Sequence, residues 1–375
     1  MMKKKRALAR LSPLFFVFVL LLMFLGGCSF IPFPNNTSAP IDPPPLNTAS
    51  DAGDTLASDT LSQAAANTSE ASPVMTTQVN TSDASPNMTT RKAMYVLDAH
   101  GYLVPLTVRL PYADSIAKQV LTYMVKGGPG EVLLPSGFRP LLPEGTRLSV
   151  DVRDDGTAVV DFSSEFAHYD PADELKIVQG ITWTLTEFPS IQAVQFSLNG
   201  YPLEEMPRAH YPLPKMLTRA IGLNTELADG AEPGKTSAVT LYFEAESEDG
   251  TMNYYVPVTR LIPRTQDLAR AAMEELIKGP LPGSKLYGTV LPSTILHSIT
   301  VQGSEAKVDT DPTLLGSEPQ EPSVRSVQAV ALTLMASTGV EKVHILINGK
   351  NIQIGKTLDL TQPVVKPKSI NPLVL

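Results

Sequence analysis

Apolar positions along the chain fall into helical and strand-like spacings, and the same succession of spacings occurs twice. Ile116, Ala117, Val120, Leu121, Met124 and Val125 lie at i, i+1, i+4, i+5, i+8 and i+9, one apolar stripe of an α-helix. Leu268, Ala269, Ala272, Met273, Leu276 and Ile277 repeat that stripe. Asp114 or Ser115 is placed to cap the first helix. Gly127-Gly128-Pro129 ends it and Gly279-Pro280 ends its counterpart, because glycine supplies a left-handed cap and proline cannot continue a helix. A second helix follows in each half, marked by Ile177, Val178, Ile181 and Leu185, and by Val327, Val330, Ala331 and Leu334.

Strands surround these helices. Tyr95–Leu97 and Tyr102–Leu110 flank a turn at His100-Gly101, as Val239–Phe243 and Tyr254–Leu261 flank Asp249-Gly250. Leu148–Val152 and Ala158–Phe162 flank the hairpin turn Asp154-Asp155-Gly156. The last strands, Ala193–Leu198 and Val343–Ile347, both run into Asn-Gly. Each half predicts β-β-α-β-β-α-β. The fold class is α+β: two similar modules, each a small sheet with two helices of one apolar face packed on one side of it.

The two halves are copies of one module. Lys126-Gly127 corresponds to Lys278-Gly279 at an offset of 152 residues. Leu142-Pro143 and Leu291-Pro292, Val178-Gln179 and Val327-Gln328, and Asn199-Gly200 and Asn348-Gly349 share an offset of 149. The Val-Pro of Tyr102–Leu110 returns in Tyr254–Leu261. The copies span residues 93–205 and 237–358. Between them, 206–236 reads as a low-order linker with four prolines, Pro207, Pro212, Pro214 and Pro233. After Asp359 the chain reads as an irregular tail, 359–375.

The N-terminus carries a different signal. Lys3, Lys4, Lys5, Arg6 and Arg10 precede an apolar run from Leu14 to Leu25, which ends in Leu25-Gly26-Gly27-Cys28. The run is short for a bilayer span and suits an export signal over residues 1–27. Leu-Gly-Gly-Cys resembles a lipobox, in which the cysteine receives diacylglycerol and becomes the mature N-terminus. Cys28 is the only cysteine, so the fold contains no internal disulfide. The competing reading is an uncleaved anchor helix with a chance cysteine. Both readings place the folded part outside the cytoplasmic membrane.

Residues 28–92, from the acylated cysteine on, are dominated by Pro, Thr, Ser, Asn, Ala and Asp. They lack the large apolar residues that offset chain entropy, and read as a disordered tether with a reach of ~40–50 Å. Loss of residues 1–27 removes five cations and leaves 25 Lys and Arg against 38 Asp and Glu, a net charge of −13. That balance argues against nucleic acid and against electrostatic docking on anionic lipid, so contact with the membrane falls to the lipid anchor.

With these residues in view, the repeated module resembles the GerM N-type (GerMN) domain of sporulation and germination proteins from endospore-forming bacteria. The resemblance rests on Lys126-Gly127-Gly128-Pro129 and Lys278-Gly279-Pro280, on the Leu-Pro before the third strand, and on Asn199-Gly200 and Asn348-Gly349. Lipobox, tether and two tandem modules together resemble the GerM-like sporulation lipoproteins. The resemblance implies a fold similar to the ring-building motif of secretion systems and a non-enzymatic function. The implied role is to help assemble the channel that joins mother cell and forespore. The implied partners are channel proteins of the intermembrane space, with self-association a further expectation. The implied location is the outer face of the cell membrane at the sporulation septum or engulfing membrane.

The sequence offers no catalytic constellation. His100, His168, His210, His297 and His344 are not at ligand spacing, and neither a metal nor a cofactor is expected. Asp151–Gly156 fails as a calcium loop at Arg153 and at Phe162, where a bidentate Glu is required. Ser163-Ser164-Glu165 and Ser136-Gly137 lack the nucleophile elbow, and Gly127–Gly130 lacks the ending of a phosphate loop. Trp183, the only tryptophan, suits either an exposed interface anchor or, preferably, packing on a loop or the neighbouring module. The chain therefore reads as an assembly module docking through exposed apolar patches or free sheet edges. The alternative is a cell-wall or solute-binding lipoprotein with a cleft between its modules; a hydrolase comes third.

Overall fold

The structure, a computed structural model, describes residues 89–316, 323–356 and 358–373. The export signal, Cys28 and the tether up to residue 88 lie outside the described residues. In the first half, β1 (Thr89–Leu97) and β2 (Leu103–Pro111) pair antiparallel with Leu97 opposite Leu103. Asp98 shapes the turn between them: its Oδ1 accepts the N–H of His100 at 2.9 Å and of Tyr102 at 2.8 Å. α1 (Ile116–Tyr123) follows. Ser115 is its N-cap but makes no side-chain bond there, and the helix ends before the predicted glycine stop. The chain instead folds back so that Lys126 N–H reaches Leu142 O at 2.9 Å. Gly130 permits that fold, since a Cβ would lie 2.0 Å from the Tyr123 carbonyl oxygen.

Next come β3 (Leu148–Val152), β4 (Thr157–Phe162), α2 (Glu174–Leu185), β5 (Ala193–Leu198) and the short β6 (Tyr201–Pro202). β4 is antiparallel to β3 and parallel to β5, and β5 is antiparallel to β6. β7 (Glu226–Leu227) lies in the connector. The second half repeats the order with β8 (Thr236–Glu246), β9 (Asn253–Pro263), α3 (Leu268–Lys278), β10 (Leu296–Gln302), β11 (Glu305–Thr310), α4 (Val324–Thr338) and β12 (Lys342–Ile347). β11 is antiparallel to β10 and parallel to β12. Here the predicted stop is used: Gly279 is the C-cap of α3 at φ +84°, and Asp267 caps the start through Arg270 N–H at 3.0 Å. Then come β13 (Gln353–Ile354), β14 (Leu358–Asp359) and β15 (Val364–Val365), the last antiparallel to β12.

The mixed sheet of each module carries both helices on one face. Ala158, Val160, Phe162, Val194 and Phe196 are buried beneath them, as are Ala306, Val308, Val343 and Ile345 in the second module. The hairpins are not hydrogen-bonded into these sheets and form a third layer across the helices. The second helix of each module is thus covered on two sides, where its periodicity predicts one apolar face. Ten of the twelve residues of α2 are buried. The hairpin side of the helix is built from small and hydroxyl residues, which a hydrophobic stripe does not register. A Cβ on Gly180 would lie 2.3 Å from Leu141 Cδ2. Thr184 Oγ1 accepts Tyr95 N–H at 3.2 Å, and Thr333 Oγ1 accepts Tyr242 N–H at 3.1 Å. The equivalent residues of the two modules therefore tie the helix to the hairpin in the same way.

The Asn-Gly pairs close tight turns after β5 and β12. Asn199 and Asn348 both have φ +50°, and Gly200 and Gly349 have φ +82° and +74°. Two consecutive left-handed residues call for this dipeptide. Asp161 and Asp309 each accept the N–H of the turn glycine at 2.7 Å.

A flexible connection is not what joins the modules. Met206, Leu217 and Leu223 are fully buried, Leu217 bridges Val194 in β5, and β7 pairs with β9. The tail is likewise packed, with Leu360 and Ile370 buried. One continuous cluster of buried apolar side chains runs through both modules. The prolines limit regular secondary structure in these segments, while their leucines and isoleucines still hold them to the core.

Candidate functional site: the module seam and the open sheet edges

The modules meet where β2 and β9 approach edge to edge, with two asparagines between them. Each strand carries a proline at the seam, Pro105 and Pro257, which removes one backbone donor from the facing edge. Asn224, in the connector, accepts Leu103 N–H at 2.8 Å through Oδ1. It donates through Nδ2 to Leu103 O at 2.9 Å and to Pro257 O at 2.8 Å. Asn371, in the tail, accepts Tyr255 N–H at 2.8 Å, and donates to Tyr255 O at 2.8 Å and Pro105 O at 2.9 Å. Each carboxamide uses its acceptor and both donors. Both asparagines are left-handed, at φ +50° and +48°.

Other contacts across the seam lack counterparts. Tyr254 OH donates to the buried Asp98 Oδ2 at 2.9 Å, and its ring meets Phe138 edge-on at 4.9 Å. Burial and the neighbouring Asp98 carboxylate push the Tyr254 hydroxyl pKa upward. Lys366 of the tail pairs with Glu187 of the first module at 2.7 Å, beside Arg219. Burial would raise the Glu187 carboxyl, but these two cations hold it below its ordinary value. A recess of about 310 Å³ remains near the tail, bordered by Asn253, Tyr255, Arg325, Gln328 and Asn371. Between β2 and β9 the two amides occupy the line where the strands approach.

The outer parts of the mixed sheets are open. β3 and β10 are the terminal strands of their sheets, each with one edge unpaired among the described residues. Val152 and Val301 are 42 and 43 % exposed at these edges, and Ile295, immediately ahead of β10, is 58 % exposed. The sheet faces turned away from the helices differ in chemistry. In the second module a depression of about 580 Å³ is bordered by Thr300, Gln302, Glu305, Lys307 and His344. Glu305 pairs there with Lys342 at 2.9 Å and His344 at 3.1 Å, and those partners hold its carboxyl below the ordinary value. In the first module Arg153 donates to Gln195 Oε1 at 3.1 Å, and Gln195 donates to Lys215 O at 2.9 Å, so the connector covers part of the face.

The remaining sequence candidates are structural in placement. His100 and His168 are exposed, His210 faces Glu205, and His297 faces Asn348. Among the described residues no three His, Cys, Asp or Glu side chains converge as a metal site. Asp155 accepts Thr157 N–H at 2.8 Å and Gly156 has φ +79°, so the acidic hairpin is a turn. Trp183 is buried: its Nε1–H donates to Gly222 O at 3.0 Å, and Arg219 stacks over the ring at 4.6 Å. It is an anchor for the connector, in line with the packing alternative. Cys28 lies outside the described residues.

Residues 93–204 and 240–353 each match the family model described as Germane, sporulation and spore germination. The chain belongs to the Germane family. The spore germination protein GerM of Bacillus subtilis (strain 168) is 38 % identical over 289 residues, which cover 75 % of this chain and 78 % of that protein. The solved structure of the tandem GerMN domains of the sporulation protein GerM from Bacillus subtilis matches with a TM-score of 0.71 and 37 % identity. It covers 76 % of this chain and 100 % of that one. The chain thus has a sporulation-related role, and no described helix is long and apolar enough to cross a membrane.

Several residues that organise these Germane modules are absent from the sequence-level candidates. Asn224 and Asn371 sit in segments read as linker and tail, where a single polar residue carries no periodic signal. Leu223-Asn224 and Ile370-Asn371, 147 residues apart, were the detectable clue. Arg260, 1 % exposed, binds Glu226 at 2.7 Å and Glu275 at 2.9 Å within a strand that reads as apolar. Glu174, also 1 % exposed, accepts the Tyr169 hydroxyl at 2.6 Å and the N–H groups of Arg208, Ala209 and Tyr211 at 2.8–2.9 Å.

Proposed function

We propose that this chain is a non-enzymatic assembly lipoprotein of sporulation. Lipid on Cys28 holds it at the outer face of the cell membrane, and its two-module body docks on proteins of the channel between mother cell and forespore. The observation that carries the docking reading is the pair of open strands, β3 and β10, at the ends of sheets whose other face is sealed by helices. An unpaired edge presents a row of backbone donors and acceptors that a partner strand can complete. Membership of the Germane family and the GerM relative supply the sporulation setting. Because the modules share one core, docking is by a single rigid body whose two open edges keep a fixed spacing. A solute-binding role has less support, since the line between the modules is filled by backbone and amide groups.

The test is charge on the open edge. Ile295→Lys with Val301→Lys adds two cations at exposed positions, where stability changes stay within ~0.5 kcal/mol per site. The expected result is a normally folded, membrane-bound protein with a strong loss of heat-resistant spores. Wild-type spore yield from this variant refutes docking through β10. Cys28→Ala is expected to move the protein from the membrane to the soluble fraction; unchanged pelleting with membranes rules out the lipid anchor.

A further inference from the structure

The segments that follow the two mixed sheets belong to the repeat. Leu213 N–H bonds Glu204 O at 2.8 Å, and Leu360 N–H bonds Ile352 O at 2.9 Å. Leu217 bridges Val194 as Val364 pairs with Val343. Leu223 N–H reaches the Thr259 hydroxyl at 2.9 Å, and Ile370 N–H reaches the Thr107 hydroxyl at 3.0 Å. Asn224 and Asn371 then make the seam bonds. From Leu213 to Asn224 and from Leu360 to Asn371 the offset is a constant 147 residues, so each module ends in an arm of the same make.

Each arm leaves its own module and lies along the other. The arm of the first module pairs with Thr259 of β9, and that of the second pairs with Thr107 of β2. The asparagine bonds have twofold character. Asn224 joins Leu103 to Pro257 and Asn371 joins Tyr255 to Pro105, so exchanging the modules maps one set of bonds onto the other about Val104 and Val256. Isologous contacts of this kind, with reciprocally exchanged elements, characterise swapped homodimers.

We infer that the outer edge of the first hairpin is a module-recognition surface: one Germane module binds another by reciprocal exchange of these arms, and the covalent connector is not what holds the pair together. The occupant of the β2 edge is the arm of a sister module. Its Asn371 donates to the carbonyl of Pro105 on that edge, while its Ile370 packs against Tyr242, Tyr255 and Leu332 of the module it comes from. The intact chain satisfies the surface internally, because a tethered partner is present at an effective concentration on the order of millimolar. The surface therefore leaves the open edges β3 and β10 free for other proteins.

The experiment cuts the full-length chain without removing anything from it. Residues 229, 230 and 232–235 are exposed and lie between the first arm and β8, so a specific protease site is inserted in this loop. After cleavage the two halves are expected to elute as one complex of unchanged mass by size-exclusion chromatography with light scattering. Asn224→Ala and Asn371→Ala each remove one hydrogen bond between the halves, to Pro257 O and Pro105 O respectively, and are each expected to weaken the half-to-half affinity by up to about tenfold. The double variant, cut, is expected to bind its other half more weakly than either single variant. Circular dichroism of the uncut variants checks that they are folded; if the double variant is unfolded, the two single variants carry the comparison. Separation of the halves with both asparagines present overturns the inference, as does full affinity in folded variants that lack them.

Discussion

Arg260 provides the sharpest energetic test of how the connector is fastened. Its guanidinium is 1 % exposed and donates to Glu226 Oε1 at 2.7 Å, Glu275 Oε2 at 2.9 Å and the Gly279 carbonyl at 2.9 Å, and it lies 5.4 Å from the Phe243 ring centre. Glu226 belongs to β7 and Gly279 caps α3, so one side chain joins connector, hairpin and helix end. Arg260→Met removes the cation and leaves two carboxylates and a buried carbonyl with fewer partners. Breaking a buried pair in this way costs about 3–5 kcal/mol. Lys278, 2.5 Å from Glu275, retains part of the compensation and favours the low end. At the equivalent position the first module has Val108, buried in the same kind of hairpin, so the fold itself does not require a charge there. Arg260→Met combined with Glu226→Leu and Glu275→Leu is therefore expected to recover most of the loss. Burial would raise the Glu275 carboxyl, but hydrogen bonds and charge from Lys278 and Arg260 hold it below its ordinary value. Its contribution is present above the unfolded-state value of about 4.3 and disappears as pH falls through the lower folded value, so the gap between wild type and Arg260→Met narrows in acid. Urea unfolding at pH 7 and pH 4 measures both effects. A loss under ~1 kcal/mol for Arg260→Met, or a triple variant weaker than the single one, refutes the reasoning.

Glu174→Gln is expected to cost ~1.5–3 kcal/mol at neutral pH, because an ionised acceptor of four hydrogen bonds is replaced by a neutral amide. Burial raises the Glu174 carboxyl, but Tyr169 and the three N–H groups bring it net below the ordinary range; the cost should shrink below about pH 4, as thermal melts at two pH values would register. Thr184→Val and Thr333→Val each leave a strand N–H without its acceptor, so losses of ~1–3 kcal/mol are expected, similar for the two and additive in the double variant. An effect at only one of them in denaturant unfolding contradicts the equivalence of the modules.

What was legible in the sequence follows from how the signal is carried. Helix stripes such as Ile116–Val125 and Leu268–Ile277 arise from burial of one face, and that burial is present in the structure. Asn199-Gly200 and Asn348-Gly349 were legible because two consecutive positive φ angles admit few other dipeptides. The layer order was not legible, because it depends on α2 being buried on two sides. Gly180, Thr182 and Thr184 are small enough to let a hairpin approach but are not apolar enough to form a stripe. The seam was hidden for a different reason. Asn224 and Asn371 act through backbone groups far away in sequence, and the proline content around them reads as disorder although Leu223 and Ile370 anchor both arms.

Duplication has preserved some parts of the module and released others, and the division bears on function. Residues that hold the molecule together persist in pairs: Pro105 and Pro257, Thr107 and Thr259, Asn224 and Asn371, Thr184 and Thr333. The faces turned to solvent have diverged. Where the first module has Arg153 bonded to Gln195 beneath its connector, the second has the Glu305, Lys342 and His344 cluster in the open. Two identical docking faces on a twofold body would favour two copies of one partner. Unlike faces on a rigid body present two different surfaces at a fixed spacing. On the docking role proposed above, that arrangement would suit a component that holds unlike neighbours in register, with partner specificity in the diverged sheet faces and edges, away from the paired residues of the seam.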